Sequence, residues 1–110
     1  MLRQSLYVKI SVGVPLPAAD AVREAMGAAG AGKQGSYEYC SFTARGVGRF
    51  RPLAGARPAI GVVGKLQAVE EVVLETICHR DLAPGVIAAI KAAHPYEEPA
   101  IDIMPRFELE

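Results

Sequence analysis

Leu6, Val8, Ile10, Val12 and Val14 alternate with Tyr7, Lys9, Ser11 and Gly13. Period two with β-branched residues predicts a half-buried strand. Pro15 and Pro17 end it. Pro17 also suits the first turn of a helix, where its missing N–H is not needed. From Ala18 the period turns helical: Ala18, Val22, Ala25, Met26 and Ala29 form one stripe, away from Asp20, Arg23 and Glu24. Gly30 is placed for the C′ position that closes such a helix. Residues 36–43 alternate again, rich in aromatic and β-favouring types, and predict a second strand. A long excursion over roughly 44–66 follows, punctuated by Gly46, Gly48, Pro52, Gly55, Pro58, Gly61 and Gly64. A loop of that length in a compact domain usually has a purpose. Phe50, Ile60 and Val62 suggest that parts of it pair or pack.

A third strand is predicted near 69–78, with Val72, Leu74, Thr76 and Cys78 on one side and Glu71, Val73, Glu75 and Ile77 on the other. Pro84 opens a second helix with Val86, Ile87, Ile90 and Ala93 inward. Pro95 stops it, because the residue before a proline avoids the helical region. Ala100 to Met104 make a fourth strand, with Ile101 and Ile103 inward. The order is β-α-β-β-α-β: an α+β, ferredoxin-like sandwich of two helices on one face of a four-stranded antiparallel sheet, first and third strands central. The bare face carries Tyr7, Lys9, Glu71, Val73, Glu75, Ile77 and Asp102, with Lys9 beside Glu71 or Glu75. It is apolar enough to expect another subunit on it.

With 110 residues and 51% hydrophobic composition, the chain reads as one domain, 1–110, able to bury a real core. Zero net charge argues against a general nucleic-acid binder. No apolar run approaches a membrane span, and the first residues lack a signal-peptide apolar region, so a cytoplasmic location is expected. Two cysteines, Cys40 and Cys78, are too few for a disulfide scaffold, and no CxxC pair exists.

Candidate chemistry concentrates in His94-Pro95-Tyr96-Glu97-Glu98-Pro99, which packs an imidazole, a phenol and two carboxylates between prolines. His94 lies at the end of the second helix's inward stripe. As a functional set, His94, Glu97 and Glu98 would ligate a divalent metal; as a structural one, His94 caps the helix and the glutamates pin the turn. A metal site needs three or four convergent ligands. Cys40 would be a nucleophile only with a lowered pKa and a nearby base; an inert thiol is the plainer reading. Arg45, Arg49, Arg51 and Arg57 interleave with glycines as in anion sites, or simply flank a hairpin turn.

Gly30-Ala31-Gly32, Tyr37, Cys40-Ser41-Phe42, Gly46-Val47-Gly48, Phe50-Arg51-Pro52, Gly55, Pro58, Ile60-Gly61 and the run from His94 to Ala100 together resemble the inserted domain of the YqfO-like, or Nif-three-like, proteins (often labelled "GTP cyclohydrolase I type two"), over roughly residues 6–105. The resemblance implies a fold similar to CutA and the PII signalling proteins, which are ferredoxin-like trimers. It implies a regulatory or ligand-sensing module whose long loop, by position 44–66, meets ligands and partners. Likeness to CutA also implies divalent metal or copper binding, with Cys40, His94 and Glu97 first to test. In the family the domain is inserted in a larger one that carries a dinuclear metal site. With only His79 and His94 here, that activity is not carried over.

The resulting expectation is a non-catalytic ligand- or metal-sensing module, a homotrimer with clefts between subunits, binding a small molecule or a divalent metal but neither nucleic acid nor membrane. Tyr37, Cys40, Tyr96, Arg45 and Arg51 are its expected ligand contacts, and His94, Glu97 and Glu98 its metal contacts. The alternatives are a small divalent-metal-dependent hydrolase using His94, Glu97 and Glu98, and a docking domain for a separate metal enzyme.

Overall fold

The computed structural model describes all residues, Met1–Glu110. The elements run β1 (Leu2–Gln4), β2 (Tyr7–Pro15), α1 (Ala19–Ala28), β3 (Phe42–Phe50), β4 (Gln67–His79), α2 (Ala83–Ala93), β5 (Ile101–Met104) and β6 (Phe107–Leu109). Each helix is entered through a 3-10 turn, Leu16–Ala18 and Arg80–Leu82. The main sheet is antiparallel, in the order β3-β4-β2-β5. Both helices cover one face of it, so the expected ferredoxin-like plan is the observed one, with β2 and β4 central.

The alternation in β2 and β4 explains the core. Ile10, Val12 and Val14 from β2 and Val72, Leu74 and Cys78 from β4 are buried against Val22 and Met26 of α1 and Val86 and Ile90 of α2. Each such side chain contributes about 1.5–3 kcal/mol through removal from water. The end of α1 is equally legible. Gly30 adopts φ +104, Gly30 N donates to Gly27 O and Ala31 N to Met26 O, both at 3.1 Å. These two bonds satisfy carbonyls that the last helical turn leaves free.

The second strand departs from expectation. It begins at Phe42, where the predicted strand 36–43 nearly ends, and runs through Gly46 and Gly48 to Phe50. Residues 34–41 instead fold into a tight turn, in which Gln34 and Tyr37 exchange backbone bonds of 2.9 Å, followed by Tyr39 at φ +57. The glycines read as breakers because one face of β3 is Phe42, Ala44, Gly46, Gly48, Phe50, a period-two pattern with almost no side chains in its middle. The excursion therefore shrinks to 51–66. Gly64 N donates to Pro52 O (2.8 Å), which closes its base.

The bare face is ordered as predicted. Lys9 lies opposite Ile77 and Ser11 opposite Glu75. Lys9 Nζ sits 3.6 Å from Glu75 Oε2, a cross-strand pair worth roughly 0.2–1 kcal/mol. Phe42 is 67% exposed and Val73 39% exposed on this face. Ile103 is on the helix side, as expected, but remains half-exposed because β5 is a short edge strand. β1 and β6, which no sequence pattern announced, pair as a separate two-stranded ribbon with Arg3 opposite Glu108. The molecule measures 50 × 27 × 23 Å, with a radius of gyration of 15.3 Å. A compact chain of this size would have about 13 Å. No helix is long and apolar enough to cross a membrane.

Candidate functional site

His94 ends α2. Pro95 takes the chain out of the helix, and His94 adopts an extended backbone (φ −82, ψ 135). Its ring is buried. Nε2 donates to Gly13 O at 2.8 Å, and Nδ1 accepts from Tyr96 N at 3.0 Å. Both ring nitrogens are thus spent on the corner, which matches the capping alternative in the sequence. The imidazole ties the corner to β2, and Gly13 N continues the pairing by donating to Ala100 O (3.2 Å).

Tyr96 then crosses onto the bare face. Its hydroxyl donates to Glu71 Oε2 at 2.7 Å. Its ring stands edge-on to Phe50, with centroids 5.6 Å apart, and tilted against His94 at 5.0 Å. Loss of water around the phenol, and then the bond to Glu71 and that carboxylate's charge, push the Tyr96 pKa well above the ordinary tyrosine range. Tyr96 is therefore a fixed neutral donor.

Glu71 lies in a gap made by glycines. A Cβ added at Gly48 would fall 2.4 Å from Glu71 Cδ, and one at Gly13 would fall 3.2 Å from Glu71 Oε1. The missing side chains in β2 and β3 are what let the carboxylate lie across the sheet. Above it opens a cavity of about 530 Å³, walled by Phe50 and Tyr96 and roofed by Pro52, Leu53, Ala56, Pro58 and Ile60 of the long loop. Glu97 fastens that roof, its Oε1 accepting from Arg57 N at 2.9 Å.

The expected site residues separate. Tyr96, Arg51, Glu97 and Glu98 line this cavity. Cys40 lines a smaller one of about 210 Å³ with Lys9, Gly32 and Glu75. Cys40 N donates to Gly32 O (3.0 Å) and its carbonyl accepts from Thr76 Oγ1 (2.8 Å), so it serves to seat the 34–41 turn. Tyr37 is 75% exposed on that turn. Arg45, opposite Val72 on β3, is exposed and lines neither cavity. The metal trio His94, Glu97 and Glu98 is not brought together, because the buried imidazole turns to Gly13 while the glutamates stay outside. No three His, Cys, Asp or Glu side chains gather as a metal-binding group.

The sequence did not single out Glu71, Phe50, Gly13 and Gly48 as a site. One signal was available: a bare-face carboxylate with glycines at diagonal positions of both neighbouring strands, Gly13 facing Val73 and Gly48 facing Val69.

Comparison with known proteins shows what the chain is similar to. No family model matches the chain. The "GTP cyclohydrolase 1 type 2 homolog" of Halalkalibacterium halodurans is 49% identical over 102 residues, covering 93% of this chain and 27% of that protein. A Bacillus cereus protein related to NIF3 superposes with a TM-score of 0.79 at 42% identity, over 96% of this chain and 26% of its own. The chain matches one segment of the Nif3-like proteins. It spans about a quarter of the length of these relatives. The divalent cation tolerance protein CutA of Thermus thermophilus shares the fold, with a TM-score of 0.65 at 18% identity, over 91% of this chain and 84% of its own. The CutA-like architecture is thus established by superposition as well as by strand order.

Proposed function

We propose that this Nif3-like segment is a non-catalytic binding module whose small-molecule ligand occupies the cavity between the bare sheet face and the 51–66 loop. The observation that carries the reading is the convergence on one cavity of an aromatic pair, Phe50 and Tyr96, a carboxylate bonded to one of them, Glu71, and a roof fastened by Glu97. A largely apolar cavity of a few hundred cubic ångströms with a few placed polar groups is the usual form of a small-molecule site. Arg51 at its margin offers an anion-binding group. The module acts as a homotrimer, in which the exposed apolar residues of the bare face, Phe42 and Val73 among them, are covered by sister subunits.

A thermal-shift screen of guanine nucleotides (suggested by the relatives' names), other nucleotides, organic anions, organic cations and divalent metals tests this. The reading expects at least one organic class to raise the melting temperature of the wild type and to lose that effect in Phe50→Ala. Stabilisation by metals alone, unchanged in Phe50→Ala, would contradict it.

A docking role is favoured by one further observation: the relatives carry the matching segment as only about a quarter of their length. In that reading the module binds a separately encoded metal enzyme and reports ligand to it. Affinity capture from the native host is expected to return such an enzyme in stoichiometric amount, and recovery of the module alone would remove this role.

A further inference from the structure

The cavity's floor holds one carboxylate, Glu71. Glu71 is half-buried, and Tyr96 Oη engages its Oε2. Glu71 joins none of the molecule's ion pairs, which are Arg3–Glu108, Lys9–Glu75, Arg23–Asp20, His79–Asp81 and Arg106–Glu108. A carboxylate drawn partly out of water without a cationic partner carries a desolvation cost that a cation would offset. Its other oxygen, Oε1, lies where a Cβ on Gly48 (2.6 Å) or on Gly13 (3.2 Å) would crowd it. Two aromatic rings stand beside it, and aromatic faces attract cations.

The cationic groups of the chain do not fill this role. Arg49 borders the cavity, but it is exposed and alternates with Gly48 and Phe50 along β3, and it forms no ion pair with Glu71. Arg51 is exposed beyond the strand end. Glu97 and Glu98, also exposed, add acceptors at the rim.

We infer that this cavity takes a small planar ligand bearing N–H donors, an amidinium, a guanidinium or an amino-substituted heterocycle, read by Glu71 with Tyr96 as the positioning residue. The inference rests on the proposed binding function and names the ligand chemistry of the same site. The flat donor edge meets Glu71 Oε1 in charge-assisted hydrogen bonds. The ring lies against Phe50 and Tyr96, and any anionic tail points to Arg51 at the mouth. A ligand that presents a carboxylate to the floor would set two like charges together.

Benzamidinium and benzoate, nearly the same shape and opposite in charge, decide the matter. Each is titrated by calorimetry into the wild type, Glu71→Gln and Tyr96→Phe at neutral pH. The expected result is benzamidinium binding at least about tenfold tighter than benzoate, a preference that Glu71→Gln abolishes. Tyr96→Phe is expected to weaken benzamidinium several-fold and leave benzoate unchanged, whereas a merely structural tyrosine would affect both probes alike. Because the wild-type comparison alone fixes the sign, a variant that fails to fold does not block the test. Benzoate binding as tightly as benzamidinium overturns this inference and leaves the binding function standing. If neither probe binds at millimolar concentration, and the thermal-shift screen also finds no organic ligand, both fall.

Discussion

Tyr96 and Glu71 are 25 residues apart in sequence and joined by a single bond of 2.7 Å. Removing the hydroxyl in Tyr96→Phe leaves Glu71 with one partner fewer, and a hydrogen bond to a charged group at a half-exposed site is worth about 1.5 kcal/mol. The pH dependence has a definite sign. The folded protein holds the Tyr96 proton more tightly than the unfolded chain, whose phenol titrates near the ordinary value of 10.0. Stability from this group is therefore complete below pH 10.0 and declines as pH rises above it. Spectrophotometric titration of the phenolate band, wild type against Tyr96→Phe, is expected to show one ionisation missing from the variant, at the alkaline end of the curve. A missing step at or below the ordinary tyrosine range would contradict the buried bond. None of this was legible from the hexapeptide alone. Its spacing showed an imidazole, a phenol and two carboxylates together, but the partner that gives the phenol its role comes from β4, and the imidazole is turned to the backbone.

At the scale of elements, the strands and helices that form the core were legible because each carries a clear period: two in β2 and β4, 3.6 in α1 and α2. β3 was not, because its middle positions on the bare face are Gly46 and Gly48, which erase the pattern a strand normally shows; Gly48 is the one that leaves space for Glu71. The 34–41 segment misled in the opposite sense. Its aromatic residues favour strands, yet Tyr39 packs on α1, so closely that a Cβ at Gly27 would fall within the Tyr39 ring. This contact reverses an ordinary expectation. Alanine is a better helix former than glycine by about 1 kcal/mol, but Gly27→Ala is expected to lower the urea midpoint, because the ring must leave its seat. Gly27→Ala combined with Tyr39→Ala is expected to regain stability relative to Gly27→Ala alone. A Gly27→Ala variant more stable than the wild type would show that Tyr39 does not hold α1.

The molecule as a whole is longer than a compact chain of its size, and its bare sheet face carries Phe42 and Val73 in the open. Covering that face by sister copies predicts a trimeric mass in light scattering, and Phe42→Asp is expected to shift it to the monomer. A wild-type monomer at micromolar concentration would contradict the assembly. At the other end, the β1–β6 ribbon joins the two chain termini through Glu108. The Ser5 hydroxyl above all, then the charges of Arg3 and Arg106, hold its carboxyl below the ordinary range, against an opposing effect of desolvation. A lowered folded value means support that is present above the unfolded value and lost as pH falls through the folded one. Amide exchange in acid is therefore expected to accelerate in the ribbon while the four-stranded sheet stays protected; equal loss in both would contradict the ribbon's dependence on Glu108. The most direct test of the account is to record the protein's amide NMR spectrum while adding a set of small ring compounds that includes amidines, carboxylates and nucleotides. Binding on the bare face predicts that the largest shifts fall together on Gly13, Gly48, Phe50, Glu71 and Tyr96. Shifts gathered instead around Gly32 and Cys40, or no shifts at all, would contradict it.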